Sequence, residues 1–174
     1  MRFLKWFVVI VILLVCGVYA YGTTLPRDHV VSSRIPLNAS QDSVFAVLRA
    51  FGDYPKWDTD FKSSVKGESR NNHEVWVQES GGMTMSIELT EIRPPSRIVS
   101  EIVTDSTSSW GGVWTYEVES VSGGSLVTVT EEGWIKAPIF RVMMKLMGPH
   151  STMDGMLKHL GARFGEQVTP EHLK

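Results

Sequence analysis

The chain has 174 residues, of which 43% are hydrophobic and 21% are charged, and its formal net charge is -2. These values fit one globular domain with a short additional segment. A nearly neutral chain whose lysines and arginines do not cluster beyond the N-terminus is not expected to bind a phosphate backbone, so no nucleic-acid partner is predicted. The single cysteine, Cys16, can form no intramolecular disulfide.

Residues 1–22 are predicted to direct the chain to a membrane. The run from Trp6 to Tyr21 has no charged residue. Its length lies between a signal-peptide core of about 7 to 15 residues and a transmembrane span of about 20. An uncleaved anchor is favoured by aromatic residues at both ends of the run. The alternative is a signal peptide cleaved at the small residues near Ala20 and Gly22.

Positive charges before the apolar run predict the orientation of the chain. Arg2 and Lys5 precede the run, which places the N-terminus in the cytoplasm. The rest of the chain then lies outside, in a periplasmic or extracellular position. Cleavage of the segment would instead release a secreted domain.

The remaining chain divides into a linker, a folded domain and a polar tail, predicted over residues 23–28, 29–167 and 168–174. The domain opens with a short β-prone run that Pro36 ends. A helix is predicted from Gln41 to Phe51, because its apolar residues recur at helical spacing. A second short helical turn follows over residues 53–58.

The middle of the chain is predicted to form an antiparallel meander. Six β-prone segments are separated by turn signals such as Asn71-Asn72 and Pro94-Pro95. The predicted strands are residues 64–68, 74–79, 83–92, 97–104, 109–119 and 125–136. In the third strand, Met85 and Ile87 alternate with polar residues, which is typical of a sheet with one covered face. With the opening run, the sheet should have about seven strands.

A long amphipathic helix is predicted over residues 138–166. Apolar residues recur there in steps of three, four or seven, from Ile139 and Met143 to Leu157. The Gly148-Pro149 pair should kink this helix midway, since proline removes a backbone hydrogen bond. The economical arrangement is an α+β fold in which the antiparallel sheet curls around the helix.

Two local sequences resemble a known family. Residues 40–48 (SQDSVFAVL) and 51–58 (FGDYPKWD) resemble helix one and the Y-P-x-W second helix of the helix-grip superfamily, also called START-like or SRPBCC, which includes polyketide cyclase/dehydrase-like proteins. Residues 131–134 (EEGW) and the terminal helix are similar to its last strand and grip helix. The resemblance implies a curved antiparallel sheet wrapped around a long C-terminal helix, with two short helices after strand one. It implies little about activity, because the superfamily hosts many functions.

The resemblance and the many large, adaptable apolar side chains favour a domain that binds a hydrophobic small molecule or lipid between helix and sheet. A membrane anchor would raise the concentration of such a domain near the bilayer. The candidate lining residues are Trp57, Trp76, Met83, Met85, Trp110, Trp114, Trp134, Met143 and Met147. The competing interpretation is that these side chains only fill a core, in a ligand-free module that binds another protein.

The alternative function is a polyketide cyclase/dehydrase-like enzyme. Its candidate catalytic residues are His150 and Asp154, one helical turn apart, as a base and the carboxylate that orients it. The competing interpretation is that His150 satisfies a carbonyl freed by the proline or faces solvent. His29 is expected in the linker, and Asp58 should cap or solvate a turn. No histidine or cysteine motif for a metal is present, so neither a metal nor a cofactor is predicted.

Overall fold

The structure is a computed structural model that describes residues 2–173. Met1 and Lys174, the outer ends of the predicted anchor and tail, lie outside the described residues. In chain order the elements are α1 (Arg2–Thr24), β1 (Asp28–Leu37), α2 (Gln41–Arg49), a 3-10 helix (Phe51–Lys56), β2 (Phe61–Lys66), β3 (Glu74–Ser80), β4 (Met83–Arg93), β5 (Arg97–Ile102), β6 (Trp110–Val121), β7 (Gly124–Ile135), α3 (Pro138–Met147), α4 (Ser151–Arg163) and β8 (Glu171–Leu173).

Helix α1 projects from the folded domain. Within it, Phe3–Thr24 is long and apolar enough to cross a membrane, although a signal sequence would satisfy the same criteria. Its large apolar side chains are exposed along the length of the helix. Among residues 3–24, only Gly22, near its C-terminal end, is buried. A helix that is apolar on all sides needs a nonpolar surrounding, and the domain covers only this one end.

Across residues 2–173, one antiparallel sheet contains eight strands in the order β2-β3-β4-β5-β6-β7-β1-β8. The predicted fold class, an α+β helix-grip with a curved antiparallel sheet, is confirmed. The count differs from the expected seven because residues 171–173 of the predicted polar tail form a strand against β1. Arg34 holds this strand by donating from Nε and Nη2 to the two carboxylate oxygens of Glu171, at 2.8 and 3.0 Å. Such a bidentate pair fixes the geometry of the two strands relative to each other.

Strand alternation places one face of the sheet in the core. Ile98 on β5 lies opposite Tyr116 on β6, which lies opposite Val129 on β7, and Val129 lies opposite Ser33 on β1. All four are buried. Opposed residues of antiparallel strands point to the same side, so this row crosses the concave face of the sheet.

The predicted long C-terminal helix is divided into two rather than kinked. α3 ends at Met147 and α4 begins at Ser151. Between them, Gly148 has a φ of 91°, a conformation that ends a right-handed helix and favours glycine. Pro149 then provides no backbone N–H to continue the helix. The two parts can therefore pack in different directions.

Only α4 acts as the grip helix. Met153, Leu157 and Leu160 are completely buried and share one core cluster with the concave face of the sheet. Leu48 of α2 and Phe51 of the 3-10 helix complete this cluster. Helix α3 lies beside the end of α1, and most of its large apolar side chains are exposed.

Because α4 lies in the core, we expect the substitution of leucine by alanine to lower the stability of the fold much more on α4 than on α3. Leu157→Ala should lower the free energy of unfolding by about 2–5 kcal/mol, because it leaves a cavity in the core. Leu146→Ala on α3, where the side chain is 81% exposed, should change it by less than about 0.5 kcal/mol. Urea unfolding of the full chain in detergent measures both. Equal losses would contradict the assignment of α4 as the grip helix.

Candidate functional site

A row of half-buried apolar side chains crosses the concave face next to the fully buried row. These residues, which we call the apolar belt, are Trp76 on β3, Met85 on β4, Ile102 on β5, Trp114 on β6 and Val31 on β1. Ile87 lies opposite both Trp76 and Ile102. In the same way, Glu131 lies opposite both Trp114 and Val31. Because opposed residues point to the same side of a sheet, this register brings the side chains onto one surface. The belt thus contacts the core but is only partly covered by it.

The 3-10 helix closes one end of the belt with aromatic rings. Phe51 stacks on Trp76 with ring centroids 6.2 Å apart, and Tyr54 meets Trp57 edge-on at 4.9 Å. The hydroxyl of Tyr54 donates to the carbonyl of Leu48, which fixes the 3-10 helix to α2. The indole N–H of Trp57 is buried and has no hydrogen-bond partner among residues 2–173. Buried donors are normally paired, so this unpaired N–H is an exception.

A histidine and a carboxylate border the other end of the belt. His29 lies on β1, not in a linker as the sequence predicted, and its Nε2 is 3.4 Å from Oε1 of Glu131. Gly133 makes room for the ring, because a Cβ there would lie 2.5 Å from His29 Cε1. Within residues 2–173, Nδ1 of His29 is buried without a partner. In the sequence, the two-residue spacing of His29, Val31 and Ser33 is the pattern that could have placed all three side chains on one face of β1.

The structure brings together about half of the predicted lining residues. Trp57, Trp76, Met85 and Trp114 pack against the core around the belt. Trp110 lines a surface cavity of ≈ 300 Å³ together with Met85 and Ile102.

The other four predicted lining residues lie elsewhere. Trp134 is on the opposite face of the sheet, next to Gly111 and beneath Lys136. Met83 is exposed at a hairpin, and Met143 and Met147 are exposed on α3. Met143 and Met147 do not reach the apolar belt, because the helix that was expected to carry them over the sheet ends at the glycine-proline break. Met83 shares a strand face with Met85 but is 51% exposed at the end of β4.

The predicted pair His150 and Asp154 belongs to a larger polar cluster between β1, α4 and β8. Ser33 Oγ donates to Asp154 Oδ1 at 2.9 Å and lies 3.1 Å from His150 Nδ1. His172 Nε2 donates to Asp154 Oδ2 at 2.8 Å, and its ring stacks on that of His150 with centroids 3.9 Å apart. His150 therefore neither satisfies the carbonyl freed by the proline nor points freely into solvent.

This cluster fixes the protonation of His150. Because the hydroxyl proton of Ser33 goes to the carboxylate, its oxygen accepts from His150 Nδ1, and Nε2 is left as an acceptor. Burial and then the neighbouring His172 lower the pKa of His150, and Asp154 partly offsets them. A neutral imidazole with a free Nε2 can accept a proton or bind a cation.

Asp58 was expected to cap or solvate a turn, but the structure buries it completely. Its Oδ1 accepts from the backbone N–H of Asp60 at 3.0 Å and from His159 Nδ1 at 2.7 Å. Its Oδ2 has no partner among residues 2–173. Burial raises the pKa of Asp58, and the two hydrogen bonds oppose that increase.

Within residues 2–173, two groups of side chains have the donor atoms that a cation requires. In each group the nitrogen and oxygen donors lie within 4.8 Å of one another, and the groups are His150 with Asp154 and His172, and Asp58 with Asp60 and His159. Each group joins two residues that are close in sequence to a histidine that only the tertiary structure brings beside them, which are His172 in the first group and His159 in the second. Exposed acidic groups are common without a bound ion, so the geometry defines candidates only.

Known proteins share this architecture. Residues 28–165 match the sequence profile of a family described as polyketide cyclase/dehydrase and lipid transport. A START superfamily protein from Mycobacterium smegmatis matches with a TM-score of 0.64 and 16% identity, over 79% of this chain and 97% of that one. A hypothetical protein from Helicobacter pylori, jhp0584, matches with a TM-score of 0.61 and 14% identity, over 79% and 88%.

A third similar structure is the di-domain ARO/CYC StfQ from the steffimycin biosynthetic pathway, with a TM-score of 0.64 and 12% identity. The match covers 78% of this chain and 50% of that one, so this chain spans about half the length of the di-domain protein. At these identities the structural likeness concerns the fold alone. No protein with a curated description matches the sequence.

The lowered pKa of His150 predicts the sign of a pH effect on stability. Below about pH 6.5, the unfolded chain binds a proton at His150 more readily than the folded chain does, so the free energy of unfolding falls as the pH falls. Thermal midpoints of the wild type and His150→Gln, measured from about pH 7 to about pH 5, should diverge in the acidic range because the variant lacks this titration. Parallel curves would contradict the prediction.

Proposed function

The chain belongs to the polyketide cyclase/dehydrase and lipid transport family, and we propose that it is a membrane-tethered domain that binds a hydrophobic small molecule or lipid. The single observation that carries the proposal is the apolar belt, whose five side chains are only partly buried inside a concave sheet. Each Å² of apolar surface that a ligand covers contributes about 25 cal/mol, so an apolar ligand stabilises this surface.

The two ends of the apolar belt suit an amphiphile. The free indole N–H of Trp57 can donate to a carbonyl, hydroxyl or phosphate oxygen at one end. At the other end, the His29 and Glu131 pair can bind a polar group by donating or accepting a proton. The apolar body of such a ligand would lie across Met85, Ile102 and Trp114, where the cavity of ≈ 300 Å³ adjoins the belt. Ligand pockets commonly combine an apolar lining with a few polar groups.

Contacts at the end of α1 support an uncleaved anchor. Arg141 of α3 donates from Nη1 to the carbonyls of Gly22 and Leu25. Removal of the first 22 residues would take away one of these acceptors and leave part of a buried guanidinium unpaired, which is costly. With the positive N-terminus in the cytoplasm, the domain lies on the outer side of the membrane.

Ligand binding is tested by native mass spectrometry of the full chain in detergent after incubation with a membrane lipid extract. The wild type should retain a stoichiometric apolar adduct. Met85→Trp fills the apolar belt and should lose the adduct, whereas Trp134→Ala, on the opposite face, should retain it. Circular dichroism checks that both variants are folded. A wild type without an adduct, or equal retention in both variants, would refute the proposal.

The polar pair at the belt supports a second function, a cyclase/dehydrase-like enzyme. His29, oriented by Glu131, can act as a general base toward a substrate bound on the apolar belt, in the role that the sequence assigned to His150. His150 is less suited to that role, because Ser33 and His172 already hold its ring.

The same mass measurement, followed over time, distinguishes carrier from enzyme. An enzyme should change the mass of the retained adduct, for example by loss of water. His29→Ala should then retain the unchanged ligand, while His150→Ala should still convert it. If the adduct keeps a constant mass in the wild type, the carrier function is supported and dehydration of that ligand is excluded.

A further inference from the structure

Helix α3 has an apolar face whose side chains are largely exposed. The residues of this α3 face are Ile139, Phe140, Met143, Leu146 and Met147, which are 45–81% exposed. Their spacing confines them to one side of the helix, and the buried residues Arg141 and Val142 lie on the other side. A contiguous group of large apolar side chains on one exposed face marks an interaction site.

The opposite side of α3 is fixed to the end of α1 through a buried arginine. Arg141 donates from Nη1 to the carbonyls of Gly22, at 3.3 Å, and Leu25, at 3.1 Å. Its Nε donates to the carbonyl of Ile135 at 2.9 Å, and its Nη2 to that of Lys136 at 2.6 Å. One guanidinium thus ties the end of α1 to the end of β7, and charged hydrogen bonds of this kind are strong.

Close packing adds to this attachment. A Cβ at Gly22 would lie 2.2 Å from the carbonyl oxygen of Pro138, so the two helices meet at a distance that only glycine permits. Near the other end of α3, Lys145 Nζ donates to the hydroxyl of Tyr21 at 2.7 Å. The α3 face is therefore held at the level where the apolar surface of α1 ends.

We propose that the α3 face is a second membrane contact, embedded in the interfacial layer of the leaflet from which α1 emerges. The occupant is lipid, because α3 lies beside the end of α1, whose large apolar side chains are exposed like those of the α3 face. Helix α3 has no acidic residue, it contains Lys145, and Lys136 precedes it by two residues, which suits an anionic headgroup layer. The inference rests on the proposed anchoring by α1.

Embedding α3 brings the binding surface to the bilayer. β7 leads from Glu131, beside the apolar belt, to Ile135 and then to α3. With α3 in the interfacial layer, the end of the sheet that carries the belt lies next to the lipids. A hydrophobic ligand then passes between bilayer and belt without crossing water, which identifies the ligand class as molecules dissolved in the membrane.

Depth-dependent fluorescence quenching of the full chain tests this contact. The protein is placed in vesicles of phosphatidylcholine and phosphatidylglycerol that carry a nitroxide near the headgroup end of one acyl chain. An environment-sensitive dye is attached to Met143→Cys in a Cys16→Ser background. The matched control is Lys158→Cys, an exposed position on α4. The natural chain, labelled at Cys16 within α1, reports the insertion of α1 separately.

The inference expects quenching at Met143→Cys to exceed that at Lys158→Cys by about threefold or more, because an interfacial helix buries its apolar face about 5–10 Å into the bilayer. Quenching at Cys16 with none at Met143→Cys would overturn the inference while anchoring by α1 stands. No quenching at either position would refute both. A Met143→Cys label that is shielded from water but not quenched by lipid would place the face against protein and also overturn the inference.

Discussion

The division of the C-terminal segment at Gly148 and Pro149 determines what the rest of the structure can do. The positive φ of Gly148 and the missing N–H of Pro149 end α3 and let α4 take a different direction. α4 packs into the concave sheet and buries Met153 and Leu157, whereas α3 stays beside the end of α1. One continuous helix would carry the methionines of α3 over the sheet. The break leaves the apolar belt partly open instead.

Buried polar groups fix the two ends of this arrangement. Arg141 has a guanidinium that is buried at the junction of α1, β7 and α3, and four carbonyls satisfy it. At the start of α4, Asp154 is shared between Ser33 and His172, which draws the C-terminal tail onto β1 as an eighth strand. Because an unpaired buried charge costs several kcal/mol, these networks select one position for each element. The belt lies between them, and its geometry depends on both.

Much of the fold could be read from local patterns. Alternation along residues such as Met85 and Ile87 identified the strands, and the spacing of Val44 and Leu48 identified α2. Four of the predicted lining residues meet around the belt, since alternation also specifies a sheet face. The strand formed by Glu171–Leu173 has no such pattern, because three residues are too few to show an alternation of polar and apolar side chains. His29 was misplaced because the start of β1 lies beside the linker.

By itself, the sequence determined the class of fold, the apolar segment at the N-terminus and the position at which the C-terminal helix is disturbed, because each depends on the order of residues within a few turns or strands. Tertiary structure alone decided which apolar side chains are covered and which polar ones meet. Ser33 contacts Asp154 and His150 although more than a hundred residues of chain separate them. Trp134 lies on the opposite face from the belt, although its large apolar side chain suited the predicted lining. Exposure and long-range pairing are properties of the packed chain, and local periodicity contains no information about them.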